Sequence, residues 1–263
     1  MPEVVTTINE LTPVEKHGDI WLKRDDLFVV PDTGCCGGKS RACWVLSQGA
    51  RGLCTGSARL SPQQQIVSRM ARKLGVPCRV HTALGDWTKE MHDAAKCGAE
   101  ITQHHNGFSS NLAKWAKDDA EQRGWTSIPF GMESSEAVAC ARNQTRNLPK
   151  EMKRLVVILG SGVAASSILW GLRDLGMQDI PVIGVRVGGG RDGRNIERRL
   201  TRFAPVDWRA RLTIQQASVP YEASLEASVD GVVLDSHYES KAFEFLQPGD
   251  CFWIVGKRPQ TEE

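Results

Sequence analysis

One unit recurs along the chain: a short apolar run of strand length, a stretch with helical spacing, then a glycine. Residues 52–56 lead to a helix opened by Ser61-Pro62 and running through Ile66, Met70, Ala71 and Leu74 to a stop at Gly75. Residues 76–81 lead to a helix over 89–97 closed by Gly98, and residues 99–101 to one over 109–123 ahead of Gly124. Proline suits the first helical turn, serine the cap, and glycine the left-handed stop. Strands that alternate with helices at this spacing pair in parallel, because a parallel neighbour needs a crossover long enough to hold a helix. The expectation is an α/β fold of open, mostly parallel sheets flanked by helices.

The pattern continues to either side. Residues 11–14 and 20–23 read as entry strands, 124–129 as a return to the sheet, and 134–148 as a helix stopped by Pro149. Residues 155–159 form the most apolar strand, followed by a glycine loop, a helix over 168–175 and a strand at 181–185. Gly188-Gly189-Gly190 interrupts the alternation, 195–203 reads as a basic helix or lid, and strands at 231–234 and 251–255 enclose a helix over 239–246.

Charge separates few function classes here. Lys and Arg number 33 against 31 acids, a net +2 that does not by itself demand a polyanionic partner. Arg186, Arg191, Arg194, Arg198, Arg199, Arg202, Arg209 and Arg211 make one region locally basic, which reads as a solvated face or as a surface for a polyanion. Eight cysteines without paired spacing read as reduced thiols of a cytosolic protein. His81 and His104-His105 lack ligand partners at metal spacing and read as surface or core histidines, so no metal is expected. No basic leader precedes an apolar run, and no apolar window approaches about 18 residues, so neither secretion nor a membrane span is expected.

Two glycine-rich junctions carry the chemistry. Thr33-Gly34-Cys35-Cys36-Gly37-Gly38-Lys39-Ser40-Arg41 places one lysine between the charged run Lys23-Arg24-Asp25-Asp26 and a helix. Gly38-Lys39-Ser40 matches the end of a Walker A loop, with Thr33 in the first glycine position and Asp235 as a magnesium partner, so a P-loop nucleoside triphosphatase stays open. The second junction, Gly160-Ser161-Gly162-Val163-Ala164-Ala165-Ser166-Ser167, lies between an apolar strand and a helix. Its backbone N–H groups and the helix dipole suit a phosphate. It also fits a dinucleotide fingerprint in which Arg186, in place of the customary acid, would meet a 2′-phosphate, and a ligand-free tight turn is the plain alternative.

Taken in order, these segments resemble the pyridoxal-phosphate enzymes of fold type II, the tryptophan synthase β family, in the branch of aminocyclopropane-carboxylate deaminase and D-cysteine desulfhydrase. Thr12-Pro13, Lys23-Arg24-Asp25-Asp26-Leu27 and Gly37-Gly38-Lys39-Ser40-Arg41 follow that branch's Thr-Pro, Lys-Arg-Asp-Asp-Leu and Gly-Asn-Lys-x-Arg signatures. Ser61-Pro62-Gln63 stands for Ser-Asn-His or Ser-Asn-Gln, Gly131-Met132-Glu133-Ser134 for a Gly-Gly-Ser turn, and the stretch from Asp235 through Tyr238 to Ala242 for Asp-Pro-x-Tyr-x-Gly-Lys-Ala. Gly38 and Pro62 replace two asparagines of the pattern, and Val255-Gly256-Lys257 replaces a Thr-Gly-Gly segment near the cofactor's ring nitrogen.

The resemblance implies a two-domain architecture, with 1–43 and 130–263 as the larger cofactor-binding domain and 44–129 as a smaller inserted α/β domain. It implies pyridoxal 5′-phosphate held by Lys39 as Schiff base, with Gly160, Ser161, Gly162, Val163, Ala164 and Ser166 around the phosphate. Lys39, Ser61 and Tyr238 are the implied catalytic residues; Ser61, Gln63, Ser134 and Tyr238 face the substrate. The implied activity is that of a lyase acting on an amine or amino acid through an external aldimine, by elimination, deamination or decarboxylation. A catalytically silent cofactor-binding protein is the alternative within the group, and a homodimer is its usual assembly. Compact relatives encoded by phages are associated with hypermodified DNA, which adds an amino acid attached to a DNA base as a substrate, and the host cytoplasm as the place of action.

Overall fold

The computed structural model describes residues 4–187 and 193–259. The glycine triplet at 188–190 and Arg191 lie outside the described residues.

In chain order the elements are β1 (Val14–His17), β2 (Ile20–Arg24), β3 (Val29–Val30), β4 (Cys35–Cys36), α1 (Gly37–Leu46), β5 (Leu53–Gly56), α2 (Gln63–Leu74) and β6 (Cys78–Ala83). There follow α3 (Lys89–Lys96), β7 (Ala99–His104), α4 (Ser109–Arg123), β8 (Thr126–Ile128), α5 (Ser135–Asn143), β9 (Arg154–Leu159), α6 (Val163–Asp174) and β10 (Val182–Arg186). The last are α7 (Gly193–Phe203), a short helical turn at Trp208–Arg211, β11 (Leu212–Gln216), β12 (Ser228–Val229), β13 (Val232–Val233) and β14 (Asp250–Ile254).

Two sheets organise the chain. The larger has the order β1-β2-β14-β9-β10-β11 and is parallel except for the β1–β2 pair. The smaller, β7-β6-β5-β8, is parallel throughout. Side-chain alternation explains why the large sheet is covered on both faces. Leu155, Val157 and Leu159 of β9 and Trp253 of β14 pack with Ile168, Leu169 and Leu172 of α6. Their neighbours Val156, Ile158, Phe252 and Ile254 point the other way, onto Leu234 and Ala242. The smaller sheet packs Leu53 and Val80 against Ile66, Val67 and Met70 of α2.

Three expectations change. The strand expected at 231–234 belongs to neither sheet; Val232–Val233 pairs only with Ser228–Val229, across a turn where Asp230 and Gly231 have φ of 45° and 81°. The helix expected over 239–246 is a 3₁₀ segment, Glu239–Phe245, and the helix expected over 134–148 divides into α5 and a 3₁₀ turn at Gln144–Asn147. Strand β11 went unanticipated because it is a polar edge strand: only Leu212 of Leu-Thr-Ile-Gln-Gln is buried, so no apolar run marks it. No helix among the described residues is long and apolar enough to cross a membrane.

Candidate active site

The segments that leave the carboxyl ends of β2, β9 and β14 in the large sheet, and of β5 and β8 in the small one, border a single cleft. Ligands in parallel α/β sheets bind at such strand ends. Lys39, Pro62, Gly131, Ser161, Tyr238 and Arg258 all line it.

Lys39 owes its position to two glycines. Gly37 donates its N–H to Phe28 O and Gly38 to Val255 O, each at 2.8 Å, which seats the start of α1 against the exit of β14. A Cβ on Gly37, whose φ is 84°, would collide with Val255 O. A Cβ on Gly38 would come within 2.8 Å of Asp25 Oδ2. That carboxylate cannot easily yield, since Arg41 holds it at 2.5 Å in a buried pair. The absent asparagine before the lysine is therefore a steric matter. Lys39 Nζ lies 5.1 Å from the centroid of the Tyr238 ring. Burial drives the lysine pKa down; Tyr221, Glu239 and Asp235 oppose this, and Arg258 reinforces it.

A P-loop is ruled out by the same geometry. The strand ahead of the glycines, β3, pairs antiparallel with β4 in a two-stranded ribbon, whereas a P-loop leaves a strand of the parallel sheet. The Lys-Arg-Asp-Asp run is an interior ion network: Arg24 grips Asp26 at 2.9 Å, and Lys23 donates to Thr12 O at 2.7 Å and Asn147 Oδ1 at 2.8 Å.

The second junction turns directly from β9 into α6. Gly162 adopts φ 86° and abuts Leu200 of α7. The first-turn N–H groups of α6 have no intrahelical acceptor, and the buried Ser166 Oγ has no hydrogen-bond partner among the described residues. Residues 160–164 line the cleft that contains Lys39. The dinucleotide reading loses its arginine here: Arg186 Nε donates to Gln216 Oε1 at 2.5 Å, between neighbouring strands.

The remaining residues singled out from sequence have local partners. Ser61 Oγ accepts from Gln63 N at 3.3 Å, and it is Pro62 that faces the cleft. The Gln63 amide is fully engaged, donating to Thr55 Oγ1 at 2.8 Å and Pro129 O at 2.9 Å while accepting from Gly131 N at 2.7 Å. It therefore fixes the Gly131 turn against Ser161. Ser134 caps α5, accepting from Ala137 N at 3.1 Å. Tyr238 Oη donates to Tyr221 Oη at 3.2 Å, which donates to Leu60 O at 3.1 Å. Burial raises both tyrosine pKa values, so both hydroxyls keep their protons at neutral pH.

Sequence reasoning missed three members of this site. Tyr221 joins Tyr238, and these are the chain's two tyrosines. Arg258 donates to Leu60 O and to Glu90 at 2.9 Å and reaches Tyr221 Oη at 3.3 Å, tying the large sheet to the small one. Glu239 is buried and accepts Val255 N–H at 3.0 Å; burial, with Asp235 adding, lifts its pKa to about 8. The available signal was the Tyr238-Glu239 dipeptide, of which only the tyrosine was singled out.

Among solved structures, an ACC deaminase homologue matches with a TM-score of 0.75 at 21% identity, over 97% of this chain and 91% of that one. The fold is that of the fold type II pyridoxal-phosphate enzymes. A fungal L-serine ammonia-lyase from Rhizomucor miehei matches at TM-score 0.61 and 14% identity, over 94% and 93% of the two chains. A pyridoxal 5′-phosphate-dependent aspartate racemase matches at 0.57 and 13%, over 97% and 96%. No family model and no curated protein matches the sequence.

Proposed function

We propose that this chain is a pyridoxal 5′-phosphate-dependent lyase acting on an amine or amino acid. The observation that carries this reading is that Lys39 and residues 160–164, remote in sequence, face one cleft. The loop's free N–H groups and the unpartnered Ser166 hydroxyl suit a phosphate, and a desolvated lysine suits an aldehyde. When bound, the cofactor supplies the electron sink for the bond broken at the substrate's α-carbon.

The chain's own residues do the rest. Lys39, with its pKa lowered, carries a neutral amine often enough to take and return a proton at that carbon. Tyr238 and Tyr221 present a linked pair of hydroxyls to the leaving group. Glu239 offers a carboxyl that holds its proton at neutral pH. Pro62, Ile66 and Met132 keep one wall apolar and reduce access of water.

The test is spectral and chemical. Reconstituted protein absorbs in the visible, and borohydride followed by peptide mapping fixes the cofactor on Lys39; a colourless protein that cannot be reconstituted rejects the proposal.

A second reading, cofactor binding without turnover, is supported by Pro62, which brings no side-chain donor or N–H to the cleft. Band shifts with amino acids and no product would favour it. A narrower choice of substrate, an amino acid carried on a DNA base, is supported by the exposed Arg198, Arg202 and Arg209 on and beside α7, the helix whose Leu200 touches the phosphate loop. Duplex binding that weakens steeply with salt is its signature. Homodimerisation, implied by the resemblance, is read by light scattering.

A further inference from the structure

Away from the cleft, the smaller sheet brings together three residues that lie far apart in sequence. Cys54 on β5, His81 on β6 and Asp119 on α4 present one ligand atom each, all within 4.8 Å of one another. Cys54 Sγ is 3.3 Å and His81 Nε2 3.2 Å from the same oxygen, Asp119 Oδ2. Cys54 is wholly buried and His81 only 5% exposed. Gly56 permits the arrangement, since a Cβ there would strike the backbone of α4 at Leu112 and hold the helix off the strand.

We infer that Cys54, His81 and Asp119 form a binding site for a zinc-class divalent cation. Zinc takes thiolate, imidazole and carboxylate at about 2.3, 2.0 and 2.1 Å, and tetrahedral geometry then sets adjacent ligands about 3.3–3.6 Å apart. The two separations from Asp119 Oδ2, 3.3 and 3.2 Å, fall at and just below the lower limit of that span, so the ligands would open by a few tenths of an ångström on binding. One thiolate and one carboxylate neutralise a dication, so the site adds no net charge to the interior.

The outer partners fit. His81 Nδ1 is 2.9 Å from His104 Nε2, so a metal on Nε2 leaves Nδ1–H to donate to His104, whose ring stacks on Trp115 with centroids 4.0 Å apart. Asp119 divides its oxygens: Oδ1 takes Arg123 Nε at 2.8 Å and Arg79 at 3.4 Å, while Oδ2 faces the cysteine and histidine. Arg79 also approaches Oδ2 at 3.5 Å and is shared with Glu100. Without metal, protons fill the same positions, with Cys54 S–H and His81 Nε2–H both donating to Asp119. Binding then balances as M²⁺ entering, the thiol proton leaving to solvent, the His81 proton moving from Nε2 to Nδ1, and the His104 proton moving from Nε2 to Nδ1 so that its Nε2 can accept. Three protein ligands leave the fourth position for water, on the side where Asp119 meets solvent.

The probes are Zn²⁺ and Cd²⁺ added to the full-length protein after chelator treatment. The expected result is one tightly held zinc, one equivalent of a cadmium–thiolate charge-transfer band, and a zinc-dependent rise in melting temperature. Cys54→Ser and Asp119→Asn, which nearly preserve shape, should each weaken zinc at least tenfold, while Cys36→Ser leaves it unchanged. Wild-type protein without the cadmium–thiolate band overturns the inference whatever the variants do, as does zinc binding that survives Cys54→Ser. Cofactor absorbance at Lys39 is a separate readout, so this inference stands or falls independently of the proposed activity.

Discussion

The amine of Lys39 faces the ring of Tyr238 across 5.1 Å, and that ring's hydroxyl is tied to Tyr221 at 3.2 Å. An aromatic face stabilises a cation by about 0.5–2 kcal/mol, which favours a charged lysine. Desolvation works the other way and is the larger influence on this amine. Tyr238→Phe, which keeps the ring and drops the hydroxyl, should leave borohydride fixation at Lys39 intact while kcat falls about 10²-fold, within the range for a positioned proton donor. Equal loss of cofactor binding and kcat would place the hydroxyl in cofactor binding instead.

Lys39→Ala should abolish reductive fixation and lower turnover by at least about 10²-fold, because among the described residues that line the cleft the one other lysine is Lys257. Lys257, also on the cleft, is the internal control: it pairs with Asp26 at 3.6 Å and should take no label.

Restoring the asparagine of the family pattern should harm this chain. In Gly38→Asn the new Cβ meets an Asp25 carboxylate pinned by Arg41, and the expected loss is about 1–3 kcal/mol of stability, read by denaturant unfolding. Unchanged stability would show that the Asp25–Arg41 pair gives way.

Glu239 sets a pH dependence with a definite sign. Its folded pKa is lifted from 4.5 to about 8, so the folded state binds the proton more tightly than the unfolded one. The resulting stability is complete below pH 4.5 and fades as pH rises through about 8. In the cofactor-free protein, the melting-temperature advantage of wild type over Glu239→Gln should therefore shrink steadily from pH 5 to pH 9. A difference independent of pH would mean the carboxyl is already ionised in the fold.

Gln63→Leu leaves the Gly131 N–H without its acceptor, while the Thr55 hydroxyl keeps its bond to Ile128 O and the Pro129 carbonyl keeps the one from Met132 N. A stability loss of about 1–3 kcal/mol is expected. Cofactor affinity should fall with it, because the Gly131 turn packs against Ser161 of the loop proposed to hold the phosphate. Unaltered affinity would separate that turn from the loop.

The legible parts of this chain are those where local chemistry and tertiary packing agree. Gly75 and Gly124 stop α2 and α4 in the left-handed conformation, as the sequence pattern predicts, and the apolar run at 155–159 is the buried strand it reads as. The junctions at Lys39 and Gly160 stand out only through their order along the chain with the Lys-Arg-Asp-Asp run, and neither is specific alone. What was hidden depends on partners distant in sequence. Arg258 gains its place from Leu60 and Glu90, and Tyr221 from Tyr238, none of which leaves a periodic trace. Gln63 carries a polar side chain inward for structural reasons, which a residue type cannot distinguish from contact with a ligand.

The bond from Gly38 N–H to Val255 O gives the molecule an order of assembly. Lys39 emerges early in synthesis, but the strand that aims it lies far downstream and fills the gap between β2 and β9. Until β14 inserts, those two strands have no common neighbour and the Gly38 N–H at the start of α1 lacks its acceptor. On the role proposed for Lys39, capture of the aldehyde waits on completion of the large sheet around β14. In such a design the yellow colour of the protein would count finished folds.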